Sequence, residues 1–260
     1  AYPSFEVIVI DDGATDDTAR YAASFGAKVI SHPYQIGNGA AIKTGARAAK
    51  GEVFLFMDAD GQHRVEDIEK LLKRYENGFD MVVGARAKSG QASLCRSLGN
   101  RLYNWLASLI VNQKVKDLTS GFRVVNARKF KEFLHLLPNG FSYPSTITLA
   151  FFRTGYTVSY VDIEAQTRIG KSHLRPISDG IRFFIIIYKI AILYSPLKIF
   201  LPLGVLHLLL GLSNYAYTYL KYGSFTNMSA LFISTAMVIF LIGMVSEQIT
   251  TLIYQNKRDL

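Results

Sequence analysis

From Met228 to Ser246 the chain carries no charged side chain, and Leu197 to Leu220 is interrupted only by Lys198 near one end, His207 and Asn214. A helix rises about 1.5 Å per residue, so each stretch is long enough to cross the ~30 Å hydrocarbon core of a bilayer. Two buried core helices are the alternative reading. Tyr215, Tyr217, Tyr219 and Tyr222 cluster at the far end of the first stretch, as amphipathic rings do at a membrane boundary. The short link Lys221–Asn227 makes the two spans a hairpin that returns to its starting side. Arg175, Arg182, Lys189 and Lys198 precede the hairpin, Lys257 and Arg258 follow it, and the link offers only Lys221. The positive-inside tendency then puts both ends and the large amino-terminal part in the cytoplasm. Phe183–Pro196 carries Lys189, ends at a proline and reads as a helix lying in the interface. The expected organisation is a cytosolic catalytic domain over 1–175, an amphipathic interfacial helix over 176–196 and two transmembrane helices within 197–260, at about 197–220 and 228–250.

Half of the residues are hydrophobic and 19% are charged, which excludes a disordered chain. The single cysteine, Cys95, permits no internal disulfide and no cysteine-based zinc cluster. A formal charge of +9 suits nucleic acid, an anionic membrane surface or phosphate-bearing substrates. No surface module of interleaved aromatic and basic residues is apparent, so nucleic acid is the weakest of these partners.

Up to about Gly170, strand-like and helix-like runs alternate. Strands are expected at 6–10, 28–31, 53–57 and 81–83, and helices near 15–25, 39–49 and 65–76. This alternation predicts an α/β fold with a mostly parallel sheet covered on both faces, and ligands outside the carboxyl ends of its strands.

Two acidic clusters fall at such strand ends: Asp11-Asp12, and Asp58-Ala59-Asp60. Side chains alternate along extended chain, so residues 58 and 60 can project to the same side. Adjacent carboxylates without a basic partner repel, and a hard divalent cation relieves the repulsion. Gln62 supplies a neutral oxygen two residues on, and His63 either joins the site or packs. The bland alternative is that the aspartates form a turn or cap the next helix. Gly37-Asn38-Gly39 matches neither the dinucleotide fingerprint nor the Walker pattern, and a turn entering a helix accounts for it. Among the basic residues, Arg123 closes the polar run that begins at Asp117, and Arg168, Lys171, His173 and Arg175 form a strip just before the membrane section, placed to hold a lipid phosphate.

Six ordered motifs now carry a resemblance: Ile8–Asp17, Gly37–Gly45, Phe56–His63, Val82–Arg86, Leu118–Arg123 and Arg168–Leu174. Together they resemble the family 2 glycosyltransferases of the GT-A (Rossmann-like) fold, and more narrowly the polyprenyl-phosphate sugar synthases, dolichyl-phosphate mannose synthase and its two-span bacterial relatives. The resemblance implies an inverting enzyme that moves a hexose from a nucleotide-sugar of the UDP-glucose or GDP-mannose type to a polyprenyl phosphate. It implies a catalytic domain on the cytoplasmic face of the cell (inner) membrane, and a homo-oligomer is compatible with it. It assigns Asp11, Asp12 and Asp58 to the donor, and Asp58, Asp60 and Gln62 to Mg2+ or Mn2+. Asp58, Asp60 and Arg86 become catalytic residues, and Arg86, Arg96, Asn100 and Arg168 the acceptor-phosphate set, to which the placement of the basic residues adds Arg123 and Lys171. Asn100 stands where relatives have Ser, Arg64 and Val65 where an acid or amide and then Pro are usual, and Tyr143-Pro144-Ser145 replaces a segment that often carries Glu. In relatives a further strand precedes the first acidic cluster, so the expected sheet lacks its first strand. Two other functions compete. A processive polysaccharide synthase carries a Gln-x-x-Arg-Trp signature, whereas the sole tryptophan here, Trp105, lies in Arg101-Leu102-Tyr103-Asn104-Trp105. A non-catalytic membrane scaffold would show no metal-dependent donor binding.

Overall fold

The structure is a computed structural model that describes residues 4–86, 94–140, 142–164, 188, 192 and 194–255, without the side chains of 94–98, 100, 254 and 255. It divides into two compact units, Ala1–Gly180 and Ile181–Leu260. The interfacial helix expected over 176–196 falls mostly outside the described residues.

In the first unit, β1 (Ile8–Asp11) pairs in parallel with β2 (Lys28–Ser31), with α1 (Thr18–Ser24) between them. The helix α2 (Asn38–Ala48) follows, then β3 (Val53–Phe56), α3 (Glu66–Glu76) and β4 (Met81–Arg86). α3 shows why such a segment is helical. Glu66, Asp67 and Glu69 occupy its first turn and Lys73 and Arg74 its last, complementing the helix dipole. Leu71 is buried on its inner face, and Gly78 at φ +90° ends it.

The remaining elements are α4 (Leu94–Val111), β5 (Arg123–Asn126), α5 (Ala127–Glu132), α6 (Tyr143–Arg153) and β6 (Val158–Ile163). The second sheet has the order β3-β5-β4-β6. β6 runs parallel to β4, but β5 is antiparallel to both β3 and β4. The α/β architecture is as expected, whereas the sheet is mixed rather than mostly parallel. α4 and the connector after it bring the chain back to the carboxyl end of β4, where Gly84 N donates to Phe122 O at 2.9 Å. β5 must therefore enter the sheet from that end. Leu71, Val82, Phe122, Val124 and Ile163 form a buried core between α3 and this sheet.

The second unit contains α7 (Leu197–Tyr222) and α8 (Asn227–Gln255), both long and apolar enough to cross a membrane. Small residues let the two backbones approach: a Cβ on Gly211 would lie 2.7 Å from the Ile233 side chain, and one on Gly243 2.7 Å from Phe200 Cβ. Asn214, a polar interruption in the first apolar run, accepts hydrogen bonds from Ser229 Oγ at 2.9 Å and Thr226 Oγ1 at 3.2 Å across the seam. Its side-chain oxygen is thereby satisfied where a membrane could not satisfy it.

Candidate active site

After β3 the chain turns through residues 57–62, helped by Gly61 at φ +74°. Asp60 Oδ1 accepts from the Gln62 amide at 3.1 Å, which fixes the turn and leaves the rest of that carboxylate exposed. The Asp58 side chain is 44% exposed, and its Oδ2 lies 3.8 Å from His63 Nε2. His63 is almost completely buried, with its ring stacked on Phe122 at a centroid separation of 4.8 Å, and its Nδ1 has no partner among the described residues. The imidazole therefore packs against the core, with its Nε2 edge towards Asp58.

Among the described residues no lysine or arginine ion-pairs with Asp58 or Asp60. No cluster of three His, Cys, Asp or Glu side chains suited to a metal occurs among them either. Among the described residues, two carboxylates and the Gln62 side-chain amide are the donors this turn would offer a cation, leaving positions for phosphate oxygens and water. That donor set fits a hard ion such as Mg2+, which is commonly held by one or two carboxylates plus substrate phosphates.

Arg86, at the end of β4, is already matched. Its Nε and Nη2 donate to the two oxygens of Asp117 at 2.8 and 3.0 Å, and Nη2 also reaches Thr119 Oγ1. Burial opposes its charge, but Asp117, with a smaller contribution from Asp58, raises its pKa above the ordinary guanidinium value. Burial likewise works against the Asp117 carboxylate, and the Arg86 bonds outweigh it, so its pKa lies below the usual range. The bidentate pair locks the orientation of the guanidinium next to the Asp58 turn.

Arg123 differs from expectation. It is 0% exposed and so has no surface to offer an acceptor phosphate. Its Nη1 donates to Pro144 O and Thr148 Oγ1, each at 3.1 Å, Nη2 bonds to Ser120 O, and its Cζ lies 5.7 Å from the centre of the Tyr143 ring. Burial pulls its pKa below the ordinary value. Tyr143 in turn donates to Gly121 O at 3.1 Å, and a Cβ on Gly121 would come within 2.9 Å of Asp58 Oδ2. Arg123 therefore backs the turn at Asp58 from inside the domain.

Asp11 and Asp12 stand at the carboxyl end of β1. Asp11 Oδ1 accepts from Ala14 N at 2.8 Å. Asp12 accepts from the amides of Ile36 and Gly37 at 3.0 and 2.8 Å and pairs with His32 Nδ1 at 2.7 Å, while His32 Nε2 lies 2.9 Å from Thr44 Oγ1. Burial alone would raise the Asp12 pKa, but the His32 and amide hydrogen bonds hold it below the ordinary value. Asp12 thus organises the loop that leads into α2. The amino end of α2 is not free for a phosphate. Gly39 N and Ala40 N donate to Gly140 O and Asn139 O at 3.1 and 2.9 Å.

Arg96 and Asn100 lie on α4, their side chains outside the described residues, as are Arg168 and Lys171 altogether. The structure brings Asp58, Asp60, Gln62 and Arg86 to one end of the β3-β5-β4-β6 sheet and adds Asp117, Thr119, Gly121 and Tyr143, none of which was assigned a role from sequence. Asp117, which opens the polar run that Arg123 closes, was the one available signal for the Arg86 partner.

Residues 1–134 match the model of glycosyl transferase family 2, and residues 195–252 match the GtrB C-terminal hairpin. The chain belongs to glycosyl transferase family 2. It is 26% identical to the CsbB protein of Bacillus subtilis, over 98% of this chain and 79% of that protein. It is 29% identical to a dolichyl-phosphate hexose transferase of Haloferax volcanii, over 66% of this chain and 75% of the relative. Among solved structures, glucosyl-3-phosphoglycerate synthase of Mycobacterium tuberculosis, crystallised with Mn2+, UDP-glucose and phosphoglyceric acid, superposes with a TM-score of 0.57. That likeness has 19% identity and covers 71% of this chain and 68% of the other, and it shows the GT-A fold.

Proposed function

We propose that this family 2 glycosyltransferase transfers a hexose from a nucleotide-sugar to a polyprenyl phosphate at the cytoplasmic face of the membrane that its helical hairpin crosses, with inversion at the anomeric carbon. The observation that carries this reading is the Asp58–Asp60 pair, which has no lysine or arginine counter-ion among the described residues and sits beside an arginine already locked in place. The names of the relatives, and the UDP-glucose and Mn2+ bound by the structural neighbour, agree with it. Asp58, Asp60 and Gln62 would hold Mg2+ or Mn2+, whose bound form neutralises charge on the departing nucleoside diphosphate. Asp11 contributes to the nucleoside side of the site, and Asp12 shapes the loop around it. Arg86 orients phosphate oxygens through the guanidinium edge that Asp117 leaves uncovered. An acceptor phosphate has a second pKa near 6, so it is already a nucleophilic anion at neutral pH and needs no general base. Catalysis then rests on alignment and charge stabilisation. Arg96, Asn100, Arg168 and Lys171 are assigned to the acceptor phosphate, and Arg123 to support of the site.

The test is to supply the full chain, in lipid nanodiscs, with polyprenyl phosphate and a panel of nucleotide-sugars, and to read the lipid product by mass spectrometry. A lipid-linked hexose is expected. Sugar transfer only to water or to a carbohydrate hydroxyl overturns the reading. Loss of one charge-assisted contact costs about 1.5–3 kcal/mol. Arg168→Ala should therefore raise KM for the lipid acceptor about tenfold or more while the donor KM stays within about twofold. The reverse split would remove Arg168 from the acceptor site.

Gly121→Ala tests the support of the Asp58 turn. The added Cβ meets Asp58 Oδ2 at 2.9 Å and Tyr143 Oη at 3.3 Å, and Asp58, being partly exposed, can move away. Misplacement of a reacting group by about 1 Å can cost on the order of a hundredfold in rate. The expected result is a large fall in kcat with the melting temperature nearly unchanged. An unaltered kcat would show that Gly121 does not set the position of Asp58.

A further inference from the structure

Between α4 and β5 the chain runs through residues 112–122 without helix or strand, yet Val115, Asp117, Leu118 and Ser120 are buried. Buried irregular backbone needs partners for its amides and carbonyls, and side chains of α4 supply several of them. Asn104 Nδ2 donates to Lys116 O at 2.7 Å, and Asn104 Oδ1 accepts from Leu118 N at 3.0 Å. The two ends of one amide therefore grip the residues on either side of Asp117. One turn further along α4, Ser108 Oγ accepts from Val115 N at 3.0 Å. Apolar packing of Val115 and Leu118 sets how deep this connector lies, but it is non-directional and does not set how the connector is rotated. The Asn104 bonds do set it, because they need a donor and an acceptor side by side, and a short side-chain amide carries both.

Asp117 is the residue that fixes Arg86. Its two oxygens take Arg86 Nε and Nη2 at 2.8 and 3.0 Å, and Oδ1 also accepts from Thr119 N at 3.1 Å. With the carboxylate so engaged, the direction of the guanidinium follows the Asp117 main chain, and that is held from α4. We propose that Asn104 is a positioning residue for sugar transfer: by gripping Lys116 and Leu118 it joins α4 and the Asp117–Arg86 pair into one rigid piece. Asn104 stands four and eight positions after Asn100 and Arg96 on the same helix, so a shift of that helix carries Arg86 with it. This role rests on the reading that Arg86 orients phosphate oxygens of the reactants.

The test is a double-mutant cycle on the full chain in lipid nanodiscs, with kcat and a thermal melt recorded for each variant. Misplacement of a reacting group by about 1 Å can cost on the order of a hundredfold, so Asn104→Ala should lower kcat about tenfold or more. Asn104→Asp keeps the acceptor for Leu118 N and loses the donor to Lys116 O; it should fall in the same way, and it carries the cycle if the alanine variant does not fold. In an Asp117→Asn background the same Asn104 substitution should change kcat by less than about twofold, since groups that act through one another do not add. Ser108→Ala breaks the Val115 bond outside the grip on Asp117. It should lower the melting temperature to a similar degree and leave kcat within about twofold of wild type. Wild-type turnover by the Asn104 variants overturns the proposal. So do equal fold-losses with and without Asp117→Asn, and so does a loss of kcat in Ser108→Ala as large as in Asn104→Ala, which would reduce Asn104 to general support of the connector. The cycle is read on whichever acceptor the wild-type chain uses, so a wrong acceptor class and a wrong role for Asn104 give different results.

Discussion

Asp60→Asn should lower sugar transfer by about a hundredfold or more while leaving the fold intact, in line with the 10²–10³ range for loss of one electrostatic contact to a developing charge. The two halves of this expectation come from the same geometry. Asp60 is exposed, and its one described hydrogen bond is accepted by Oδ1 from the Gln62 amide. An asparagine oxygen can accept that bond equally well, so stability should change by no more than about 0.5 kcal/mol. What is removed is the negative charge. Asp58→Asn should cost a comparable amount, and it also removes the charge that helps to raise the Arg86 pKa. The measurement is kcat for lipid-linked hexose formation alongside a thermal melt, repeated across a wide range of Mn2+. Partial recovery at high metal places the defect in ion binding. Undiminished turnover by Asp60→Asn would remove the metal from the proposed chemistry.

The place of this pair at the carboxyl end of β3 was legible in the sequence because both members directly follow an apolar strand. The same holds for β1 to β4 and α1 to α3, whose apolar runs are closed by turn signals such as Asn77-Gly78. Beyond Arg86 local pattern and final structure part company. β5 opens on a charged residue, Arg123, which burial turns into an internal prop. α6 contains Pro144, Thr146, Ile147 and Thr148, a poor intrinsic helix, yet an unbroken run from Ser145 to Phe151 is buried. Packing overrides propensity there. The supporting contacts of the site, Arg86 with Asp117, Tyr143 with Gly121 and His63 with Phe122, join residues 31, 22 and 59 positions apart, and only the crossing of β5 between β3 and β4 brings them together. The charge of +9 pointed to a phosphate or membrane partner, but it could not single out Arg123, which among the described residues has no surface at all.

Gly39→Ala should destabilise the domain by about 3 kcal/mol, although a helix ordinarily gains up to about 1 kcal/mol from this change. Gly39 lies in the first turn of α2, and its φ is not positive, so the residue is not required by its own backbone conformation. The requirement comes from across the gap. A Cβ at this position would lie 2.0 Å from Pro138 O and 3.0 Å from Gly140 O, and both of those atoms are main chain and cannot rotate aside. Either α2 or the 138–140 segment must retreat, which breaks the bonds from Gly39 N and Ala40 N to Gly140 O and Asn139 O. Overpacking costs about 1–3 kcal/mol, and each buried donor left unpaired adds about 1–3 kcal/mol where water cannot reach it. These outweigh the propensity gain. For a domain of this size the melting point should fall by roughly 6–12 °C. Gly140→Ala is the matched control on the facing segment, since its Cβ would meet nothing within 4 Å. It should be neutral, or stabilising by about 0.4–1 kcal/mol through the unfolded chain. Melting curves of the two variants in the same lipid separate a steric requirement at the α2 contact from a general effect of adding a methyl group. If Gly39→Ala melts with the wild type, the close approach of α2 to residues 138–140 is wrong, and the amino end of that helix becomes available to a phosphate after all.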